Sequence, residues 1–197
     1  MIIPATPSPH LEQNSWYELV NGDVLRQGDL LHDCPVFLPP KDYVLGSEQA
    51  NPDELTTPII YNVVVLNQSC DLENKKLQHV LVAPFWPMSE SVALIPGHIR
   101  EDPALVLKFW EQVRRGYQWP LHMLNMCELT GFETEIQVVD FRQLFTTSHN
   151  LARQIAGSSE NRLRVKSPYR EHLAQALAKF FMRVGLPSDI EAFAKLP

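Results

Sequence analysis

Residues 59–84, IIYNVVVLNQSCDLENKKLQHVLVAP, contain two short and solidly apolar runs. The runs, 59–66 and 80–84, are rich in valine, a composition typical of strands buried on both faces. The polar turn between them carries side chains that commonly hydrogen-bond their own backbone: Asn67, Ser69, Asp71 and Asn74. We therefore predict a central β-hairpin whose two strands lie inside a sheet.

Length and composition predict one folded unit. The chain has 197 residues with 45% hydrophobic content, which suits one well-buried core and is short for two ordinary domains. Residues 1–14 are proline-rich without apolar periodicity, so we expect an irregular arm there and a single domain over 15–197.

The cysteines and the first residues of the chain indicate in which cellular compartment the protein is found. Cys34, Cys70 and Cys127 are far apart without CxxC spacing, and the first residues lack the basic segment of an export signal. No run approaches the roughly 18 apolar residues that span a bilayer. We therefore predict a cytoplasmic protein that does not enter the membrane.

Charge is unevenly distributed along the chain. The net charge is −6; residues 1–141 carry 8 basic and 19 acidic side chains (−11), and residues 142–197 carry 9 and 4 (+5). An acidic total argues against a general nucleic-acid coat, but the C-terminal excess of cations permits a basic binding face. Attraction between the two halves of the chain is the alternative.

The remaining pattern predicts further elements around the hairpin. Asp102, Pro103 and Gly116 mark the start and end of an inserted helix over about 101–116. Ser167 and Pro168 begin C-terminal helices over about 167–196. Other expected elements are strands at 29–31, 36–38, 121–129, 135–145 and 162–166, a long loop at 39–57 and a helix at 148–157. The C-terminal helix should bury Leu173, Leu177, Phe181 and Val184, a stripe widened by Ala174, Ala178 and Phe180. It should end at Gly185 and Pro187, before a last short helix at 188–191.

This order of elements resembles the MazF/PemK (CcdB-like) family of growth-inhibiting toxins. The likeness rests on Gln27-Gly28-Asp29-Leu30, on residues 62–66 and 80–84, and on residues 138–144. The resemblance implies an α+β fold: an SH3-like bent antiparallel sheet or barrel, here with an inserted helix and a C-terminal helix.

The chain departs from that family where the family cleaves RNA. Members that cut RNA have Arg-Pro before the strand matching 62–66 and a Thr or Ser after the proline matching Pro84. Here Thr57 precedes Pro58, and Phe85 follows Pro84. The resemblance therefore favours a toxin–antitoxin or phage-defence type of binding or regulatory module over a ribonuclease. The expected partner is a protein, with RNA or DNA as an alternative and a homodimer left open.

Cys70 and Asp71, in the turn of the hairpin, are the candidate catalytic residues. A thiol is a nucleophile when a base or a cation stabilises its thiolate, whereas Asp71 and Glu73 place negative charge beside it. A thiol enzyme would need His79 or His149 nearby as a base. The competing interpretation is an unreactive cysteine in a turn shaped by polar side chains.

A basic strand near the C-terminus is the candidate nucleic-acid or phosphate-binding site. The alternation of basic and apolar residues predicts a half-exposed strand with Arg162, Arg164 and Lys166 on one face and Arg170 just beyond. Three cations in a row suit phosphate contacts, for binding or for a divergent endoribonuclease. The alternative is a solvated charged face. The strand itself, residues 162–166, contains no aromatic residue to stack bases, which argues against recognition of a single strand.

Metal ligation and the aromatic residues complete the expectations. Three pairs could in principle supply zinc ligands: His32 and Cys34, Cys70 and Asp71, and His122 and Cys127. None has the tight spacing of zinc ligands, so we predict no metal and no cofactor. Residues Trp110, Tyr117 and Trp119, with Phe85 and Trp86, should join the inserted helix to the core, and an exposed subset would mark a partner interface.

Overall fold

The structure is a computed structural model that describes residues 16–39, 58–74 and 76–182. Its strands are β1 (Tyr17–Val20), β2 (Leu30–Val36), β3 (Ile59–Val65), β4 (His79–Pro87), β5 (Leu121–Leu124), β6 (Gln137–Asp140), β7 (Phe145–Ser148) and β8 (Arg162–Val165). Its α-helices are α1 (Ser69–Glu73), α2 (Pro103–Arg114), α3 (His149–Ser158) and α4 (Tyr169–Phe181), and 3₁₀ turns span Met88–Leu94 and Gly97–Ile99. The predicted N-terminal arm, most of the 39–57 loop and the last helix lie outside the described residues.

The strands form two antiparallel sheets. Six strands pair in the order β2-β3-β4-β6-β5, and β7 pairs with the first half of β4. Strands β1 and β8 form a two-stranded sheet, joined to β2 by a bridge between Asp29 and Arg164. The α+β class with an antiparallel sheet is thus confirmed, whereas no closed barrel is found among the described residues.

The predicted hairpin is present as β3 and β4. Val64 lies opposite Ala83 and both are buried, but Ile59 and Ile60 at the start of β3 are exposed. The polar turn contains the short helix α1. Asn67 fixes it through its Oδ1 atom, which accepts a hydrogen bond from the Leu81 backbone N–H.

Local end signals placed the helices well. The Asp102 side chain accepts hydrogen bonds from Ala104 and Leu105 at the start of α2, and Gly116, with φ +73°, follows its end. Ser148 caps α3 in the same way, by accepting from the Leu151 N–H. These are the positions at which orphan backbone groups of a helix require a partner.

Helix α4 departs from its prediction. It begins at Tyr169 with Pro168 before it, and no side chain caps it, so the prediction of a Ser167 cap is wrong. Phe181 is 58% exposed, contrary to the prediction, whereas Phe180, expected to widen the buried stripe, packs against Phe141. Because Leu173, Leu177 and Phe180 follow the helical i, i+4, i+7 spacing, this stripe is the one that meets the core.

Several predicted strands change in extent. A single strand, β2, replaces the two short pieces, with a register shift between Leu31 and Cys34. The predicted strand at 121–129 stops at Leu124. The predicted strand at 135–145 is interrupted because Asp140 accepts hydrogen bonds from the backbone and guanidinium of Arg142, which fixes a turn between β6 and β7.

Buried side chains pack on both faces of the large sheet. One cluster lies under α4, a second under α3, and a third joins α2 to β5 and β6 through Phe109, Trp110 and Val113. Trp110 is thus in the core as predicted, whereas Tyr117 and Trp119 are 69% and 46% exposed. None of the helices in the described ranges is long and apolar enough to cross a bilayer.

Candidate functional site

Strand β8 is buried along its whole length. Arg162 and Arg164 are 4% and 6% exposed, so the prediction of a half-exposed strand is wrong. Both guanidinium groups meet Asp29, which is fully buried at the start of β2. The alternation of basic and apolar residues gave a wrong prediction here because the strand packs on both faces. Its arginines have a carboxylate partner in the protein interior.

Most guanidinium nitrogens of the two arginines donate hydrogen bonds within this cluster. Arg162 donates from Nε and Nη2 to Asp29 Oδ2 at 3.2 and 3.0 Å, and Arg164 donates from Nε to Oδ1 and from Nη2 to Oδ2. The carbonyl oxygens of Gly22 and Val24 accept further hydrogen bonds at 2.5 to 3.0 Å. The cluster ties β8 to the start of β2 and to the loop after β1.

The other two predicted phosphate contacts are also placed. Lys166 is half-buried at the end of β8, and Arg170 donates to Glu171 at 2.8 Å on α4. Phosphate binding by the four cations stays a prediction. The occupied donors of Arg162 and Arg164 argue against it and for a structural role.

Cys70 is an exposed, free thiol on α1. Its sulfur lies 3.8 Å from the Gln68 Oε1 atom, and Asp71 pairs with Lys76 at 3.4 Å. Within the described ranges, no histidine or cation forms a hydrogen bond with the thiol, so nothing in these contacts activates it. The catalytic role of Cys70 and Asp71 stays a prediction.

A cleft of about 390 Å³ opens between α2, β5 and α4, beside Trp16. This volume lies within the range of small-ligand sites. Its walls come from three distant segments: residue 16, residues 113–123 and residues 169–179. No carboxylate is among the residues that line it in the described part of the chain.

Three cations line the cleft. Arg114 and Arg115 end α2, and both bind Glu111: Arg114 Nη2 and Arg115 Nε lie 2.6 and 2.7 Å from Glu111 Oε1. These hydrogen bonds lower the pKa of Glu111 to about 2. Lys179, on the last turns of α4, is exposed and adds a third positive charge. The cleft therefore carries excess positive charge on a protein whose net charge is negative.

Aromatic rings line the same cleft as these cations. Trp16 stacks on Tyr169 with ring centroids 3.9 Å apart and planes 8° from parallel. Trp119 is nearly half-exposed. An exposed indole beside cations is an arrangement suited to a planar ring that carries negative charge.

His122 on β5 is the least satisfied polar side chain of the cleft. The residue is half-buried, but its Nε2 atom is buried without a hydrogen-bond partner, and its ring lies against Phe141. Burial, with the nearby His172, lowers the pKa of His122 from 6.5 to about 4. The imidazole is therefore neutral at neutral pH.

Sequence reasoning missed this cleft. It considered His122 only as a metal ligand and Trp119 only as core or interface, and it looked for stacking rings near β8. Among the described residues, no three potential ligands from His, Cys, Asp and Glu come together to hold a metal ion. A signal did exist in the Arg114, Arg115, Trp119 and His122 sequence, where cations, an indole and an imidazole occur within nine residues.

Comparison with known proteins leaves the site to be interpreted from its geometry. No protein-family model matches the chain, and no curated protein matches its sequence.

Proposed function

We propose that the protein is a binding module for single-stranded nucleic acid, and that the cleft between α2, β5 and α4 is its binding site. The observation that carries the proposal is the meeting of Trp16, Trp119 and Tyr169 with Arg114, Arg115 and Lys179 in one cavity. Bases supply planar rings and phosphates supply negative charge, so one strand offers a partner to each kind of side chain.

Charge supports an anionic ligand. Glu111 neutralises only part of the charge of the two arginines beside it, and Lys179 adds another positive charge to the lining of the cleft. Each protein cation that contacts a phosphate would release a counterion condensed on the strand, which would make binding salt-dependent.

The aromatic side chains of the cleft support a single-stranded ligand, because its bases are free to stack on them. A base stacked on an aromatic side chain contributes about 1–3 kcal/mol, whatever its sequence. Trp119 has an exposed ring for this contact, and the Trp16–Tyr169 stack gives a rigid apolar wall. Duplexes hide the faces of their bases, so the cleft should favour single strands.

The proposal keeps the binding role expected from the sequence and moves it from β8 to the cleft. The SH3-like, MazF/PemK-like character of the fold, a toxin–antitoxin or phage-defence role, a protein partner and a divergent endoribonuclease stay predictions. The cleft proposal depends on none of them.

Fluorescence anisotropy with a labelled oligodeoxythymidylate of about ten nucleotides, near the site sizes of known single-strand binders, tests the proposal at low salt. Trp119→Ala should weaken binding by about tenfold or more, because it removes the stacking surface. Lys179→Gln should reduce the slope of log affinity against log salt by about 0.7, the contribution of one phosphate contact on a single strand.

Two variants of exposed residues outside the cleft lining serve as matched controls. Tyr117→Ala removes an exposed aromatic ring, and Lys108→Gln removes an exposed cation of α2. Both should bind as the wild type does. Lack of binding at low salt, or equal losses in the controls and the cleft variants, would refute the proposal.

A further inference from the structure

The cleft between α2, β5 and α4 is small compared with the strand proposed to bind there. Its volume of about 390 Å³ is near the lower end of small-ligand sites, which range from about 300 to 1,000 Å³. Proteins that pass a strand along a groove contact about 4–16 nucleotides. The cleft therefore has room for about one nucleotide, and the rest of a bound strand lies outside it.

The two arginines of the cleft are held close together at the end of α2. Arg114 Nη2 and Arg115 Nε lie 2.6 and 2.7 Å from the same atom, Glu111 Oε1. Both arginine side chains are exposed, at 63% and 58%, so a ligand can reach them. Two guanidinium groups that already share one anion are placed to share a second.

Free donors remain on both arginines. Arg114 donates to Glu111 from Nε and Nη2, and Arg115 donates to it from Nε alone. Over the described part of the chain, the other guanidinium nitrogens of these two side chains form no hydrogen bond, although each guanidinium has five N–H donors. They can therefore bind phosphate oxygens while Glu111 stays in place.

The charge of the cleft suits a group with two negative charges. Three cations line it, and Glu111 neutralises one of them, which leaves an excess of two positive charges. A phosphate inside a strand carries one negative charge, whereas a phosphomonoester carries about −1.5 to −2 at pH 7 and has three acceptor oxygens. A terminal phosphate is thus the better match in both charge and acceptors.

We propose that the cleft holds the phosphorylated end of a single strand, with the terminal base stacked on Trp119. Arg114, Arg115 and Lys179 contact the terminal phosphate. This inference rests on the proposed function, because it specifies which part of the strand occupies the same cleft. Stacking is insensitive to sequence, so the selectivity of the protein is for a phosphorylated end. The 5′ and 3′ ends share this chemistry, and the experiment distinguishes them.

Competition for a labelled oligothymidylate, measured by fluorescence anisotropy, tests the proposal. The competitors are unlabelled strands of about ten nucleotides with a 5′-phosphate, with a 3′-phosphate or with hydroxyls at both ends. One of the phosphorylated strands should compete about tenfold or more better than the hydroxyl strand, because it adds charge-assisted hydrogen bonds. Thymidine monophosphate with its phosphate at the same position should also compete, and thymidine at equal concentration should not.

Three variants assign the preference to the cleft. Arg115→Gln should remove most of the advantage of the phosphorylated strand. Trp119→Ala should weaken the phosphorylated and hydroxyl strands by the same factor, because both offer a base to the indole. Arg26→Gln is the matched control, since Arg26 is also an exposed arginine paired with a glutamate, Glu73, but is outside the cleft lining. It should keep the wild-type advantage.

The outcomes separate this inference from the proposed function. Equal competition by the phosphorylated and hydroxyl strands in the wild type would overturn end binding and leave the proposed function standing. An advantage that is unchanged in both Arg114→Gln and Arg115→Gln would do the same. Failure of every strand to bind, phosphorylated or not, would refute both.

Discussion

Two carboxylates in this protein each bind two arginines, and their surroundings give them opposite roles. Asp29 is fully buried, and Arg162 and Arg164 reach it from β8 across the fold. Glu111 is on the outer part of α2 and binds Arg114 and Arg115 from its own helix end. The buried cluster uses its charges to join chain segments, whereas the exposed one leaves its arginines at the wall of a cleft.

The comparison shows that burial, more than residue type, decides what an arginine can do. The guanidinium groups of β8 donate hydrogen bonds to one carboxylate and to the carbonyls of Gly22 and Val24. Those of α2 are solvent-accessible and can exchange Glu111 for a phosphate. Surface ion pairs add little stability, so such an exchange costs little.

The largest expected effect comes from neutralising the buried carboxylate. Asp29→Asn should lower the free energy of unfolding by about 3–5 kcal/mol, because it leaves two buried arginines without a counter-ion. Urea denaturation monitored by circular dichroism measures the loss. The variant removes only charge and keeps the side-chain shape.

Glu111→Gln is the matched control for this comparison. It neutralises a carboxylate that also binds two arginines, yet it should leave the urea midpoint close to that of the wild type. It should also tighten oligonucleotide binding, because it removes a competing negative charge. Equal destabilisation by both variants would contradict the contrast between the two clusters.

A second effect concerns the pH dependence of stability on the cleft side. The pKa of His122 is lowered from 6.5 to about 4 on folding, so between these values the unfolded chain binds the proton more readily. The free energy of unfolding should therefore fall by as much as about 3 kcal/mol as the pH drops from about 6.5 to 4.

Denaturation curves at a series of pH values, without ligand, measure this contribution. His122→Gln should flatten that part of the profile, and His98→Gln should not. An unchanged profile in His122→Gln would mean that the imidazole is as easily protonated in the folded protein as in water.

A smaller effect tests how closely the backbone at Gly28, next to Asp29, approaches Val165 of β8. A β-carbon at Gly28, where φ is +85°, would lie 3.0 Å from the Val165 Cβ atom. Gly131 has a similar φ of +83° and open space around it. Both Gly→Ala changes bear the cost of a left-handed backbone, so Gly28→Ala should cost about 1–3 kcal/mol more, the usual penalty of overpacking.

Thermal or urea unfolding of the two alanine variants gives the difference directly. The comparison needs no estimate of the backbone cost, since that cost is common to both. Equal losses would show that β8 can move away from Gly28 without penalty.

Features formed by residues close together in the sequence were predicted, whereas features formed by residues far apart in the sequence were not. The β3–β4 hairpin, the Asp102 cap, the start of α3 after Ser148 and the end of α2 at Gly116 depend on neighbouring residues, and all were predicted. The partner of Arg162 is 133 residues away, so alternation alone assigned this side chain to the surface.

The cleft escaped prediction for the same reason. Trp16, His122 and Lys179 belong to three segments that only the tertiary fold brings together. Its aromatic rings were sought next to the cations in sequence, while the fold supplies them from elsewhere. The orphan state of His122 Nε2 depends on packing against Phe141 and has no counterpart in a sequence pattern.

The position of the buried cluster along the chain has a consequence for biosynthesis. Asp29 is made early, whereas Arg162 and Arg164 follow it by 133 and 135 residues. Until β8 emerges from the ribosome, a nascent chain that buried Asp29 would hold a carboxylate without a counter-ion, at a cost of several kcal/mol. The two arginines therefore make native closure of the fold a late event, and a chain truncated before β8 should remain open to chaperones and proteases.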